Sequence, residues 1–116
     1  MADPEPDCLF CKIAAGEIAS EIVHADDRVV VFRDINPRAP IHVLAIPRRH
    51  IASAADLTDT DGDLLASLFG ALRRVAEGGG LGGYRIVTNV GAESGQSVFH
   101  LHFHLLGGRP MSWPPG

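Results

Sequence analysis

Polar and apolar positions follow two different periods along this chain. From Ser97 to Leu106 the order is Ser-Val-Phe-His-Leu-His-Phe-His-Leu-Leu. Such strict alternation among aromatic and aliphatic residues predicts a β-strand. Strand side chains point alternately to opposite faces. Phe99, Leu101, Phe103 and Leu105 are therefore expected to face a core, with His100, His102 and His104 in a row on the other face. Ile22–His24 and Val29–Arg33 are short β-rich runs joined by Ala-Asp-Asp, a hairpin signal. Ile41–Ile46 predicts a buried strand closed by Pro47, and Tyr84–Val90 a further strand.

The helical period appears once at length. Leu64, Leu65, Leu68, Phe69, Leu72, Val75 and Ala76 fall on one face of a helix expected from about Thr60 to Glu77. Asp59, Asp61 and Asp63 suit its positive N-terminal end, and Gly78-Gly79-Gly80 stops it. Leu9–Ala15 predicts a short helix ended by Gly16. Asp34–Pro40, with two prolines and an Asn, is a loop. Arg48-Arg49-His50 is a polar turn and Gly91–Gly95 a loop. Gly107–Gly116 holds the only Trp and three prolines, so it is extended. The expected fold is α+β: an antiparallel sheet of about five strands, one principal helix and a short N-terminal helix. Residues 1–7 are expected to be a disordered tail and residues 8–116 a single domain.

Composition narrows the class. At 116 residues the chain suits one domain with a modest core. A net charge of −4 argues against a protein that coats nucleic acid, which carries a basic patch. No apolar run reaches the eighteen or so residues that span a membrane, and the acidic, proline-rich N-terminus lacks the basic-then-apolar order of a secretory signal. A cytoplasmic setting is expected. Two cysteines as Cys8-x-x-Cys11 then suggest metal or redox chemistry rather than a disulfide framework.

The row of imidazoles changes the picture most. Three readings compete: metal ligation, a nucleophile with acid/base partners, and polar surface. Strand-mates on one face diverge little, so three of them wrap a single ion poorly. A phosphorus centre fits better, because imidazole titrates near neutrality and one ring attacks while a neighbour carries the proton. His102, flanked on both sides, is the candidate nucleophile. His104 and His42 are the candidate proton carriers. Gly91-Ala-Glu-Ser-Gly-Gln-Ser97 has glycines near both ends, so its backbone N–H groups can converge on a phosphate. Ser97 and Asn89 can donate to a phosphoryl oxygen, and Ser97 also to the leaving atom.

His-φ-His-φ-His-φ-φ over His100–Leu106 resembles the signature of the histidine triad (HIT) proteins. Gly95-Gln96-Ser97-Val98 before it, Asp34-Ile-Asn-Pro-Arg-Ala-Pro40, and the Trp113-Pro-Pro-Gly116 end are similar to the nucleotide-binding Hint branch. The resemblance runs from about Leu9 to the last residue. It implies a HIT domain that hydrolyses purine nucleoside phosphoramidates, of the adenosine 5'-phosphoramidate type. His102 would attack the α-phosphorus to form a covalent nucleotidyl-histidine, and water would resolve it. Phosphate contacts are implied at Asn89, Gly95, Gln96, Ser97, His102 and His104. Asp34 is implied as the acceptor for ribose hydroxyls. Phe10, Ile13, Phe32 and Ile35 are candidates to sandwich the purine, or else plain core.

The resemblance also bears on the cysteines. Some HIT relatives hold a Cys-Cys-His-His zinc. Of the remaining histidines, His50 and His100 are the best complements to Cys8 and Cys11, since His42 and His102 are wanted for catalysis. Such a closed zinc would be structural. The alternative is a pair of buried free thiols. No organic cofactor is expected. The implied partners are purine nucleoside monophosphates and their phosphoramidates, and a second copy of the chain in a homodimer. That dimer would be built on the helix stripe and the Tyr84–Val90 edge, with the C-terminal tail reaching the neighbouring site. Nucleic acid and membrane are not expected partners. A nucleotide-binding regulatory module with incidental hydrolysis, and a dinucleoside polyphosphate hydrolase, are the competing functions.

Overall fold

The computed structural model describes residues 5–116. Of the expected tail, residues 1–4 lie outside the described residues. Residues 5–7 are a turn rather than loose chain: Cys8 N–H donates to Glu5 O at 3.1 Å, and Glu5 N–H to Cys11 Sγ at 3.4 Å. In chain order come α1 (Leu9–Ala14), β1 (Ile22–Ala25), β2 (Val29–Arg33), β3 (Ile41–Pro47), α2 (Gly62–Gly78), β4 (Tyr84–Val87) and β5 (Phe103–Gly107). The strands make one antiparallel sheet in the order β1-β2-β3-β5-β4. This is the expected α+β fold.

Alternation along the central strands sorts the two faces. Val29 and Val31 of β2, Val43 and Ala45 of β3, and Phe103 and Leu105 of β5 pack with Leu68, Ala71, Leu72 and Ala76 of α2. Val30, Phe32, Leu44 and Ile46 point the other way, against Phe10 and Ile13 of α1. Both faces are covered, so β2 and β3 read as continuous apolar runs. His42 lies on the α1 face with Leu44 and Ile46, and His104, opposite Leu44 in the register, lies there too. The pleat thus carries catalytic candidates and nucleotide-site candidates to one side of the sheet.

α2 starts two residues later than expected. Asp59–Asp61 form a 3₁₀ turn, and Asp61 caps it reciprocally with Thr58, so that aspartate does more than favour the helix dipole. Phe69 of the expected apolar stripe remains 45% exposed. β4 ends at Val87 rather than Val90, because the Thr88 hydroxyl takes the His102 carbonyl at 2.7 Å and the chain then turns away.

The triad strand is also shorter than its alternation suggests. Pairing with β3 and β4 begins only at Phe103 and His104. Upstream the segment is unpaired, with Leu101 N–H donating to Ile51 O at 2.6 Å. Leu101, Phe103 and Leu105 are buried as expected. Phe99 is not: it is 52% exposed, beyond the reach of the sheet.

Candidate functional site

The segment Pro47–His50 acts as a hub. Arg48 donates from Nη1 to Ala14 O and from Nε to Asp26 O, both at 2.7 Å, tying the end of α1 to the β1–β2 hairpin. Arg49 pairs with buried Asp61 at 2.5 Å, and that guanidinium holds the Asp61 carboxyl below the usual carboxylate range. His50 is thereby fixed beside α1. Cys8 and Cys11, brought together by one helical turn, complete a cluster with His50 and His100. Cys8 Sγ is 3.2 Å and Cys11 Sγ 3.4 Å from His100 Nδ1, and Cys11 Sγ is 3.4 Å from His50 Nδ1.

All four ligand atoms of this cluster lie within 4.8 Å of one another. A zinc ion with bonds of ~2.0 Å to nitrogen and ~2.3 Å to sulfur can close that spread. The buried His100 ring is prepared for such a role. Its Nε2–H donates to Pro47 O at 2.8 Å, which leaves Nδ1 as the lone-pair nitrogen aimed at the sulfurs. Burial pushes the Cys11 thiol up to about 11 and pulls His100 down to about 4. The donor set and its outer hydrogen bond fit a structural metal. His24, the other histidine available from sequence, is engaged with Asp26 at 2.8 Å.

His100 also shapes the next member of the triad. The His102 Nδ1–H donates to the His100 carbonyl at 2.7 Å, so the His102 lone pair is on Nε2. His42 and His104 sit diagonally across the β3–β5 pair, with His42 Nε2 2.9 Å from His104 Nδ1. The rings of His102 and His104 meet at a centroid distance of 5.2 Å. Among the described residues no protein group bonds Nε2 of His102 or of His104, and no side-chain nitrogen sealed from solvent lacks a partner. Both Nε2 atoms therefore keep an opening to solvent. Burial is the main force holding His104 down to about 4, aided by the neighbouring His102 and His42 and opposed by Asp34. Burial likewise lowers His42, again against Asp34.

Beside the triad lies a cleft of about 410 Å³ lined by Phe10, Ile13, Phe32, Asp34, Ile35 and Ser97, among others. Every aromatic and aliphatic residue expected around a purine borders it. Phe10 joins cleft to triad, its ring edge-on to His102 at 5.0 Å. Ile35 is 89% exposed and serves as an outer wall. Asp34 Oδ1 already accepts from Asn36 N–H at 2.8 Å, and Oδ2 stands 3.4 Å from His42 Nε2. Each carboxylate oxygen has a second lone pair for an incoming hydroxyl. Ile18, Ala19, Ser20, Leu44 and Val98 are among the other residues of the cleft. Sequence reasoning missed them, and the one signal was an apolar Ile18 stranded in a loop.

The Gly91–Ser97 loop corrects an expectation. The N–H groups of Ser94, Gly95 and Gln96 do not converge outward, since each bonds a carbonyl within the loop. Gln96 is buried, its Oε1 accepting from Gly91 N–H and its Nε2 donating to Ala52 O and Val98 O. It holds the loop together and presents no side-chain group to a ligand. Gly95 adopts φ 103°, a left-handed turn that suits glycine, and the Asn89 amide lies against it. Ser97, which is exposed, and the Asn89 side-chain amide carry no hydrogen bond among the described residues and are available to a phosphate.

The chain matches the family model described as scavenger mRNA decapping enzyme C-term binding over residues 7–113. It is 49% identical over 111 residues to an uncharacterized HIT-like protein of Synechocystis, covering 95% of this chain and 97% of that one. A HIT family hydrolase from Legionella pneumophila is 51% identical with a TM-score of 0.93, covering 95% of this chain and all of that chain (100%). A histidine triad protein from Clostridium difficile is 41% identical with a TM-score of 0.89, covering 93% and 96%. The family match and these likenesses extend over nearly the whole chain, and the chain belongs to the HIT family.

Proposed function

We propose that the protein is a hydrolase of purine nucleoside phosphoramidates of the Hint type, acting through His102. The observation that carries this reading is the 2.7 Å bond from His102 Nδ1–H to the His100 carbonyl, which leaves Nε2 as a fixed lone pair beside the cleft. In the first half-reaction that lone pair forms a bond to the α-phosphorus. The P–N bond breaks, its electron pair goes to the amine, and His104 gives that nitrogen a proton. In the second half-reaction water attacks phosphorus, His104 takes up the water's proton, and the bond to His102 breaks. The products are a nucleoside monophosphate and an amine.

His104 is neutral in the free protein at neutral pH, held down by burial. A bound phosphate opposes that depression, because an adjacent anion favours the protonated ring. When His104 Nδ1 is protonated it no longer accepts from His42, and Asp34 Oδ2, 3.4 Å from His42 Nε2 and 3.9 Å from His104 Nδ1, is the acceptor for both N–H groups. General acid help of this kind contributes about 10²–10⁴ in rate. Ser97 and Asn89 hold the phosphoryl oxygens, Asp34 the ribose, and Phe10, Ile13, Phe32 and Ile35 the base.

A zinc ion bound by Cys8, Cys11, His50 and His100 would anchor the triad segment to α1 without an open coordination position. The functional unit in this reading is a homodimer. Phe69 and Tyr84 are exposed, β4 is an unpaired sheet edge, and a two-fold mate would cover both. Turnover of adenosine 5'-phosphoramidate beside diadenosine polyphosphates tests the reading. Preferred cleavage of the phosphoramidate, with a burst of labelled nucleotide on the protein, is expected. Preference for the dinucleotides, or binding without turnover, would overturn it.

A further inference from the structure

The ligand atoms of Asp34, His42 and His104 also lie within 4.8 Å of one another. Two imidazoles and one carboxylate form a donor set that divalent transition metals accept. The hydrogens on the rings decide against it. The main-chain N–H of Arg38 donates to His42 Nδ1 at 3.0 Å. An accepting ring nitrogen carries no proton, so neutral His42 holds its proton on Nε2. That nitrogen faces His104 Nδ1 at 2.9 Å, which must then accept, and His104 in turn holds its proton on Nε2, away from His42. The opposite tautomer of His42 would set one N–H against another at Arg38. A metal on His42 Nε2 would require that tautomer.

Three further bonds hold the Arg38 peptide where it is. Asp34 N–H donates to His42 O at 3.0 Å and closes the loop. Asp34 Oδ1 takes Asn36 N–H and turns the chain. Arg109 Nε donates to Arg38 O at 2.9 Å, holding the residue from the C-terminal segment.

We propose that the Arg38 main-chain amide is a positioning group of the site. It sets the tautomers of His42 and His104, keeps the His104 proton on the nitrogen that faces outward, and denies a metal the His42 lone pair. The catalytic half of this rests on the reading of His104 as proton donor. The tautomer and metal halves need no substrate.

Ring ¹⁵N spectra of the substrate-free protein near neutral pH are the first test. Both His42 and His104 are expected in the Nε2–H form, and His42 in the Nδ1–H form would overturn the proposal. Arg38→Pro removes the N–H, whereas Arg38→Ala retains it. The alanine variant should keep the tautomer. The proline variant should lose it, with kcat lower than the alanine variant's by about tenfold or more and KM within about threefold. A folded proline variant with the wild-type tautomer would overturn the assignment. If that variant does not fold, the wild-type spectrum decides alone. Zn²⁺ added beyond the one ion expected at Cys8, Cys11, His50 and His100 should leave the His42 and His104 ring signals unmoved. A shift there would overturn the metal exclusion. A protein with the stated tautomers and no turnover would fail the hydrolase reading only, whereas an active protein with the Nδ1–H form of His42 would fail this inference only.

Discussion

His102 donates its Nδ1–H to the main-chain carbonyl of His100 across 2.7 Å, while the His100 ring faces the two cysteines. Two residues of one motif thus do unlike work. One is buried among candidate metal ligands and lends its carbonyl. The other receives its tautomer from that carbonyl.

The nucleophile assignment predicts a specific pattern of loss. His102→Ala should lower turnover by at least roughly 10³, about 4 kcal/mol of barrier. Nucleotide affinity should stay within about tenfold, because the cleft is built by other side chains. Rapid-quench trapping with labelled substrate should find nucleotide on the wild-type protein and none on the variant. Label on another residue would remove His102 from the role.

The Cys8, Cys11, His50 and His100 cluster should carry one zinc per chain in protein purified without added metal. Elemental analysis and thiol titration check this. Chelation should lower the melting temperature more than it lowers turnover, since a closed four-ligand site has no position for substrate. Freely titrating thiols at both cysteines, with no metal present, would rule the site out.

Acid should destabilise the fold before it protonates the buried carboxylates. His104 is depressed from 6.5 to about 4, and burial lowers His42 in the same direction. Between about 6.5 and 4 the unfolded chain binds protons that the folded chain refuses, so unfolding free energy falls as pH falls through that window. Above it these rings contribute no pH dependence. Below it both states are protonated and the loss is complete. Urea melts at pH 7, 5.5 and 4 should trace this slope, and His104→Gln should flatten it.

The tail and the dimer separate by deletion. Ser112 O accepts from Arg85 Nη2 at 2.8 Å, which ties the tail to β4 of its own subunit. Trp113 beyond it is 81% exposed and apolar, suited to cover a partner's leaving group. Removing residues 112–116 should change preference among amine leaving groups more than adenosine monophosphate affinity. Sedimentation at micromolar concentration should give twice the chain mass. A fully active monomer would end the dimer proposal, and an unchanged leaving-group preference would end the tail proposal alone.

Much of the molecule was legible before any coordinates, because periodicity reports which face of an element is buried. Six of the seven apolar positions of α2 (Phe69 excepted), the continuous runs of β2 and β3, and the alternation at Leu101, Phe103 and Leu105 follow from one side chain in 3.6 or in two pointing inward. Residue chemistry together with the HIT resemblance named Cys8, Cys11, His50 and His100 as one group and His42, His102 and His104 as another, and the fold brings each together. What alternation could not report is where pairing stops. His100 and His102 lie before β5 begins, because β3 and β4 supply no partner upstream of Phe103, and Phe99 is left exposed for the same reason. Side-chain identity likewise said nothing of main-chain amides. Gln96 and the glycine-rich loop spend their donors internally, and the Arg38 N–H that orients His42 belongs to a group every residue but proline carries. Only the tertiary path of the chain decides which of those identical groups meets a histidine ring.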